Sequence, residues 1–101
     1  MIPHTSAAYV SRSKIHGKGV FAWVQLSPGQ FFHIPSYVTK KPGPRAAYDQ
    51  DGKAYEFFSP FAFLNHSDNP NAELWEDKGC FELQVIKPIK PGQEITIDYS
   101  G

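Results

Sequence analysis

Hydrophobic and polar positions alternate along this chain over short stretches, and glycine or proline interrupts them at close intervals. Alternation over roughly four to eight residues marks a half-buried strand, whereas a helix would bring apolar residues back every third or fourth position. Residues 7–11 read as a first short strand, and residues 20–24 as a second after the Gly17-Lys18-Gly19 loop. A Pro-Gly turn at residues 26–30 leads into a strand at Phe31–Ile34. From residue 35 to 51 the pattern fades. Lys41-Pro42-Gly43-Pro44 excludes regular structure, residues 45–50 suggest a helical turn closed by Asp51-Gly52, and the whole stretch reads as a surface insertion. Residues 55–58 form a short aromatic strand. Residues 72–76 and 80–86 pair as a hairpin about Asp77-Lys78-Gly79, with Phe81, Leu83 and Val85 on one face and Glu82 and Gln84 on the other. In the last strand, residues 94–99, Ile95, Ile97 and Tyr99 share one face and Thr96 and Asp98 the other.

Two local patterns stand out. Leu26-Ser27-Pro28-Gly29-Gln30 and Ile89-Lys90-Pro91-Gly92-Gln93 share an aliphatic residue, a spacer and Pro-Gly-Gln before a strand. The stretch from Ser59 to Asn71 changes from aromatic and aliphatic to almost wholly polar. Ser59 can cap and Pro60 can begin a helical turn that buries Phe61, Phe63 and Leu64, and Asn69-Pro70 ends it. The turn then delivers Asn65 and His66, whose donors and acceptors need partners if buried. Taken alone, this is a polar turn capped by its own side chains.

A length of 101 residues sets one domain, 1–101, with a single modest core. Nine prolines and eight glycines favour short strands joined by turns, and an aromatic share of 15% implies a ring-rich core or a ring-lined pocket. The formal net charge of zero argues against a general nucleic-acid binder, which needs a basic face to replace counterions. Cys80 is the single cysteine, so this chain forms no internal disulfide and no multi-cysteine zinc site; no metal site is expected. The N-terminal residues have no signal-peptide pattern and no apolar run reaches a membrane span, so an intracellular protein is expected, cytoplasmic or, in a host with histones, nuclear.

Three separated segments together resemble the signature segments of the SET domain, a family of protein-lysine methyltransferases. Ile15-His16-Gly17-Lys18-Gly19-Val20-Phe21-Ala22 is similar to the family's first segment at every position. Asn65-His66-Ser67-Asp68-Asn69-Pro70-Asn71 resembles its Asn-His-Ser-x-x-Pro-Asn segment. The run from Ile89 to Tyr99 resembles its closing Ile-x-x-Gly-x-Glu-ϕ-Thr-ϕ-Asp-Tyr. No single motif is specific; three in order across nearly the whole chain are. The resemblance implies a mainly β, β-clip-like fold of several small sheets, with one or two short helical turns. It also implies a pseudo-knotted C-terminal segment that brings Asn65 and His66 beside Tyr99, a rare exception to ordinary connection rules.

It further implies S-adenosyl-L-methionine as cofactor and a protein lysine as substrate. The loop containing Lys18, Gly19 and Val20 corresponds to the cofactor-binding loop, with Lys18 a contact to the cofactor carboxylate or else a solvated lysine. Asn65 and His66 correspond to residues that hold the cofactor through side-chain amide and backbone bonds. Tyr99 corresponds to the catalytic tyrosine at the cofactor, while Asp98 and Glu94 read as polar anchors. The nucleophile must be a neutral amine, and with a free pKa near ~10.4 only about one lysine in a few thousand is uncharged at neutral pH. An apolar channel and a neighbouring sulfonium both push that pKa down, leaving tyrosine to orient rather than to take a proton. Tyr48, Tyr55, Phe57, Phe58 and Phe61 are candidates for the channel wall, most of them core.

The sequence departs from the family pattern at Ala62-Phe63-Leu64, where Arg-Phe-Ile is common, at Asp68 in place of cysteine, and at Gln93 in place of glutamate. It carries no cysteine-rich zinc segment after Tyr99, so the resemblance is to the minimal stand-alone SET proteins of viruses and bacteria. In such a protein a second subunit in a homodimer, or the substrate itself, is expected to close the channel. The rival reading is a SET-fold binding module, catalytically weak or inactive.

Overall fold

Turn chemistry sets the length of every strand. The computed structural model describes residues 7–99, and its elements are β1 (Ala8–Arg12), β2 (Lys18–Ala22), β3 (Phe31–Ile34), β4 (Ser36–Val38), β5 (Ala47–Tyr48), β6 (Ala54–Phe57), a 3-10 turn (Phe61–Phe63), β7 (Asn65–His66), β8 (Ala72–Asp77), β9 (Cys80–Val85) and β10 (Glu94–Ile97). They form three small sheets, in the orders β1-β2-β10-β7, β3-β9-β8 and β4-β6-β5. Phe32, Phe61, Phe81, Leu64, Leu83 and Ile95 are almost wholly buried among the sheets.

The β8–β9 hairpin follows its pattern. Asp77 pairs with Cys80, so Lys78 and Gly79 form a two-residue loop, both with positive φ (52° and 80°), the twist that suits antiparallel strands. Phe81, Leu83 and Val85 face the core. The two Pro-Gly-Gln turns prove to be structural equivalents. In each, glycine takes positive φ, and the glutamine side-chain oxygen accepts a main-chain N–H: Ser27 to Gln30 at 2.7 Å and Lys90 to Gln93 at 3.0 Å. The turns lie side by side, joined by paired bonds between Leu26 and Ile89.

Other elements differ from expectation for identifiable reasons. Residues 45–50 form no helical turn; Ala47 and Tyr48 pair with β6 instead, and Ser36–Val38 pairs with its other edge. Strands this short carry no readable period. β2 begins at Lys18 and ends at Ala22, leaving Trp23 and Val24 exposed. Pro60, not Ser59, stands at the cap position of the 3-10 turn, with no side-chain cap bond, and Phe63 is only half-buried.

β10 does most to position the site. It pairs antiparallel with β2 on one edge and parallel with β7 on the other, placing Thr96 beside Asn65 and Ile97 beside His66. Ile95, Thr96 and Ile97 are all buried, so both faces of this strand are covered. Asn71 completes the enclosure: its Nδ2 donates to Glu94 O (2.9 Å) and its Oδ1 accepts the Thr96 N–H (2.9 Å), as a neighbouring strand would. Thr96 and Asn65, 31 positions apart in sequence (96 − 65), thereby become direct neighbours.

Candidate active site

The loop between β1 and β2 is closed by Ser13. Its N–H donates to Gly17 O (2.8 Å), and its Oγ accepts the Ile15 N–H (2.9 Å). The same hydroxyl donates to the Glu94 carboxylate, 2.8 and 3.0 Å from its two oxygens. Glu94 therefore acts as an anchor between the loop and β10.

Asn65 is the hub. It is 3% exposed, and its amide is committed to protein on every side. Nδ2 lies 3.1 Å from His16 O, 3.0 Å from Lys18 O and 2.9 Å from Glu94 Oε2, and Oδ1 accepts from Arg45 at 2.7 Å. One buried side chain thus fixes the loop, β10 and the segment before β5, and every polar atom of the amide has a partner. Gly19 makes this packing possible. A Cβ there would lie 2.3 Å from Glu94 Oε2 and 3.1 Å from Asn65 Nδ2, so only glycine lets the strand pass so close. Val20 beside it is fully buried in the core. Lys18 is exposed, with its Nζ 5.7 Å from the centre of the Phe63 ring.

Tyr99 comes to the same place by way of β10. Its hydroxyl donates to Leu64 O at 2.7 Å, immediately before Asn65, and its N–H donates to His66 Nδ1 at 3.1 Å. With Nδ1 accepting, the His66 proton resides on Nε2, which faces Asp68 Oδ1 at 2.8 Å. The His66 ring thus holds the Tyr99 main chain in place. Burial pushes the Tyr99 hydroxyl up to about 12, against a smaller opposing pull from Arg45, so at neutral pH it is a protonated donor.

Tyr99 also borders a cavity of about 310 Å³ lined by Tyr48, Leu74, Glu76, Phe81 and Asp98 among others. Of the rings suggested for a channel wall, Tyr48 alone is on this cavity's lining. Tyr55, Phe57 and Phe61 are core, and exposed Phe58 packs on Tyr37 with ring centres 4.9 Å apart. The structure brings together Lys18, Gly19, Asn65, His66 and Tyr99, and adds two residues that the sequence reading did not assign to the site, Ser13 and Arg45. Ser13 carries a weak local signal, a hydroxyl opening a glycine-rich loop. Arg45 carries none, because it follows a proline-rich stretch without periodicity.

The profile of the SET domain matches residues 17–100. The chain belongs to the SET-domain family. Among curated proteins, it is 29% identical over 115 residues to the histone-lysine N-methyltransferase Set2 of Drosophila melanogaster, covering 89% of this chain and 5% of that protein. It is 45% identical over 40 residues to a SET and MYND domain-containing protein of Dictyostelium discoideum, covering 39% of this chain and 12% of that protein. The SET domain thus spans only a small part of either relative. Its fold is similar to that of a Plasmodium falciparum protein provisionally named a histone methyltransferase, with TM-score 0.72 and 20% identity over 93% of each chain. It is also similar to the methyltransferase domain of human PR domain-containing protein 2, with TM-score 0.68, 18% identity, and coverage of 95% of this chain and 78% of that one.

SET-domain methyltransferases use S-adenosylmethionine. The donor set here fits such a ligand. Lys18 forms no ion pair with a described carboxylate and can meet an amino-acid carboxylate, while the Asn65 amide, held by Arg45, keeps the main chain of the glycine loop fixed. Because that amide is wholly engaged with protein in this structure, its part is to shape the loop rather than to offer a spare donor.

Proposed function

We propose that this SET domain is an S-adenosylmethionine-dependent protein-lysine N-methyltransferase. The observation that carries the reading is the placement of Tyr99: its hydroxyl is fixed on Leu64 O, next to the Asn65 hub and at the border of an open cavity. Bound cofactor supplies a methyl group on a sulfonium, open to in-line displacement by an uncharged amine. Loop residues Lys18 and Gly19, together with Asn65 and His66, shape and hold the cofactor's place. Tyr99, protonated at neutral pH, orients the reacting groups and takes no proton, so its contribution is proximity and alignment. Tyr48 and Leu74 line the cavity with apolar surface that favours a neutral amine over an ammonium. The substrate is a lysine side chain of another protein, and a second copy of the chain, or the substrate itself, closes the cavity over it.

Calorimetry with S-adenosylmethionine tests the reading on the wild type, Asn65→Ala and Tyr99→Phe. The wild type should bind, Asn65→Ala should lose binding while circular dichroism still reports a folded chain, and Tyr99→Phe should bind yet transfer methyl at least about 100-fold more slowly. Absence of binding at millimolar cofactor would remove the enzyme reading. Binding without transfer to any lysine-containing protein would favour the interaction module.

A further inference from the structure

Arg45 comes from the stretch to which the sequence assigned no role, yet it touches the centre of the site. Its Nη2 donates to Asn65 Oδ1 at 2.7 Å, and its charge opposes the effect of burial on the Tyr99 hydroxyl. The side chain is half-buried and pairs with no described carboxylate. Glu94 does not neutralise it directly, because Glu94 binds the opposite end of the Asn65 amide. A half-buried cation without a counterion among the described residues retains much of its field, since protein rather than salt water occupies part of its surroundings.

Where transfer occurs beside Asn65 and Tyr99, that field falls on the sulfur. The nitrogen lone pair forms the N–C bond as the S–C bond breaks, the bonding pair stays on sulfur, and the positive charge passes from sulfur to nitrogen. Donor and product share the same amino-acid and nucleoside parts and differ at this atom by a methyl group and a unit charge. We propose that Arg45 is a positioning residue that locks the Asn65 amide and weakens the site's hold on the charged sulfonium donor relative to its neutral thioether product, S-adenosylhomocysteine. The inference rests on the methyltransferase reading. The other charged or titratable groups around the site are Lys18 on the loop, Glu94 beneath the amide, His66 with Asp68, and Glu76, Asp98 and Tyr48 around the cavity. All are kept when Arg45 alone is changed.

The test is the ratio of the affinities for S-adenosylmethionine and S-adenosylhomocysteine, measured by calorimetry at fixed pH and salt. It compares the wild type with Arg45→Gln, Arg45→Met and Arg45→Lys. Arg45→Gln keeps a donor for Asn65 Oδ1 and loses the charge; Arg45→Lys keeps the charge. The two uncharged variants should shift the ratio toward S-adenosylmethionine by about three- to tenfold, the order expected of a partly screened unit charge, while Arg45→Lys stays near the wild-type ratio. With two uncharged variants, the failure of one to fold leaves the comparison intact. An unchanged ratio, or equal weakening of both ligands, would overturn the proposal while leaving the methyltransferase reading in place, since Arg45 would then touch only what the ligands share. If the wild type binds neither ligand, both readings fail together.

Discussion

At the scale of single residues, Tyr99 holds its proton where most tyrosines would begin to lose it. Burial is the main cause, and Arg45 only partly offsets it. The sign of the resulting pH dependence follows from linkage. Below the ordinary value of 10.0 the phenol is protonated both folded and unfolded, and its contribution to stability is fully present. As pH rises from there to about 12, the unfolded chain ionises first, so unfolding becomes progressively easier until the contribution is gone. Tyr99→Phe lacks this loss. The urea midpoint of the wild type should therefore fall faster than that of the variant between about pH 9 and about pH 11.5. Tyr55, whose hydroxyl is raised by burial and by its bond to Asp49, moves the same way in both proteins and cancels. Parallel declines would show that Tyr99 titrates normally. The same residue shows how far motif reading reaches: the segment ending Asp98-Tyr99 named it, but nothing in the sequence showed that its partner is Leu64 O or that the His66 ring holds its main chain.

At the scale of elements, the β8–β9 hairpin shows where a turn residue is replaceable and where it is not. Gly79 and Gly52 have nearly the same positive φ, 80° and 85°. A Cβ at Gly52 would meet nothing, whereas one at Gly79 would lie 2.6 Å from the Tyr55 hydroxyl. That hydroxyl cannot simply swing aside, because it donates to Asp49 Oδ2 at 3.0 Å. Gly52→Ala should cost about 1 kcal/mol of backbone strain, and Gly79→Ala about 2–3 kcal/mol, the excess reflecting the collision and the disturbed bond. Chemical denaturation of both variants checks the difference, and equal losses would show that Tyr55 gives way freely. The hairpin was legible because β8 and β9 are long enough to show a period and Lys78-Gly79 supplies turn chemistry. β4 and β5 were not, because two or three residues show no period and their pairing depends on β6. For β10 the alternation sorts residues between two faces but does not say which is covered, and burial of Ile95, Thr96 and Ile97 shows that both are.

At the scale of the whole molecule, the site exists because β10 is bonded on both edges and carries Tyr99 to Asn65. Three motifs far apart in sequence announced that meeting, while the residues that brace it from outside the central motif, Ser13 and Arg45, became visible only through their contacts. The same view raises the question of what covers the Tyr99 cavity. Tyr48 on its wall is 55% exposed, and Tyr99 itself 38%. Trp75, 53% exposed, lies on an adjoining cavity that shares Leu74 and Asp98. In the proposed methyl transfer, which requires an uncharged amine, large rings left this open would leave water access to the very group that must shed its proton. If a second copy supplies the cover, specific activity on a lysine-containing protein should fall on dilution, in step with the loss of dimer seen by sedimentation. A charge placed on the rim by Trp75→Glu should weaken both together while the cavity floor stays intact. If the substrate supplies the cover, specific activity should be independent of enzyme concentration, and Trp75→Glu should act on the substrate's KM with no change in sedimentation. A fully active monomer at high dilution would decide for the substrate.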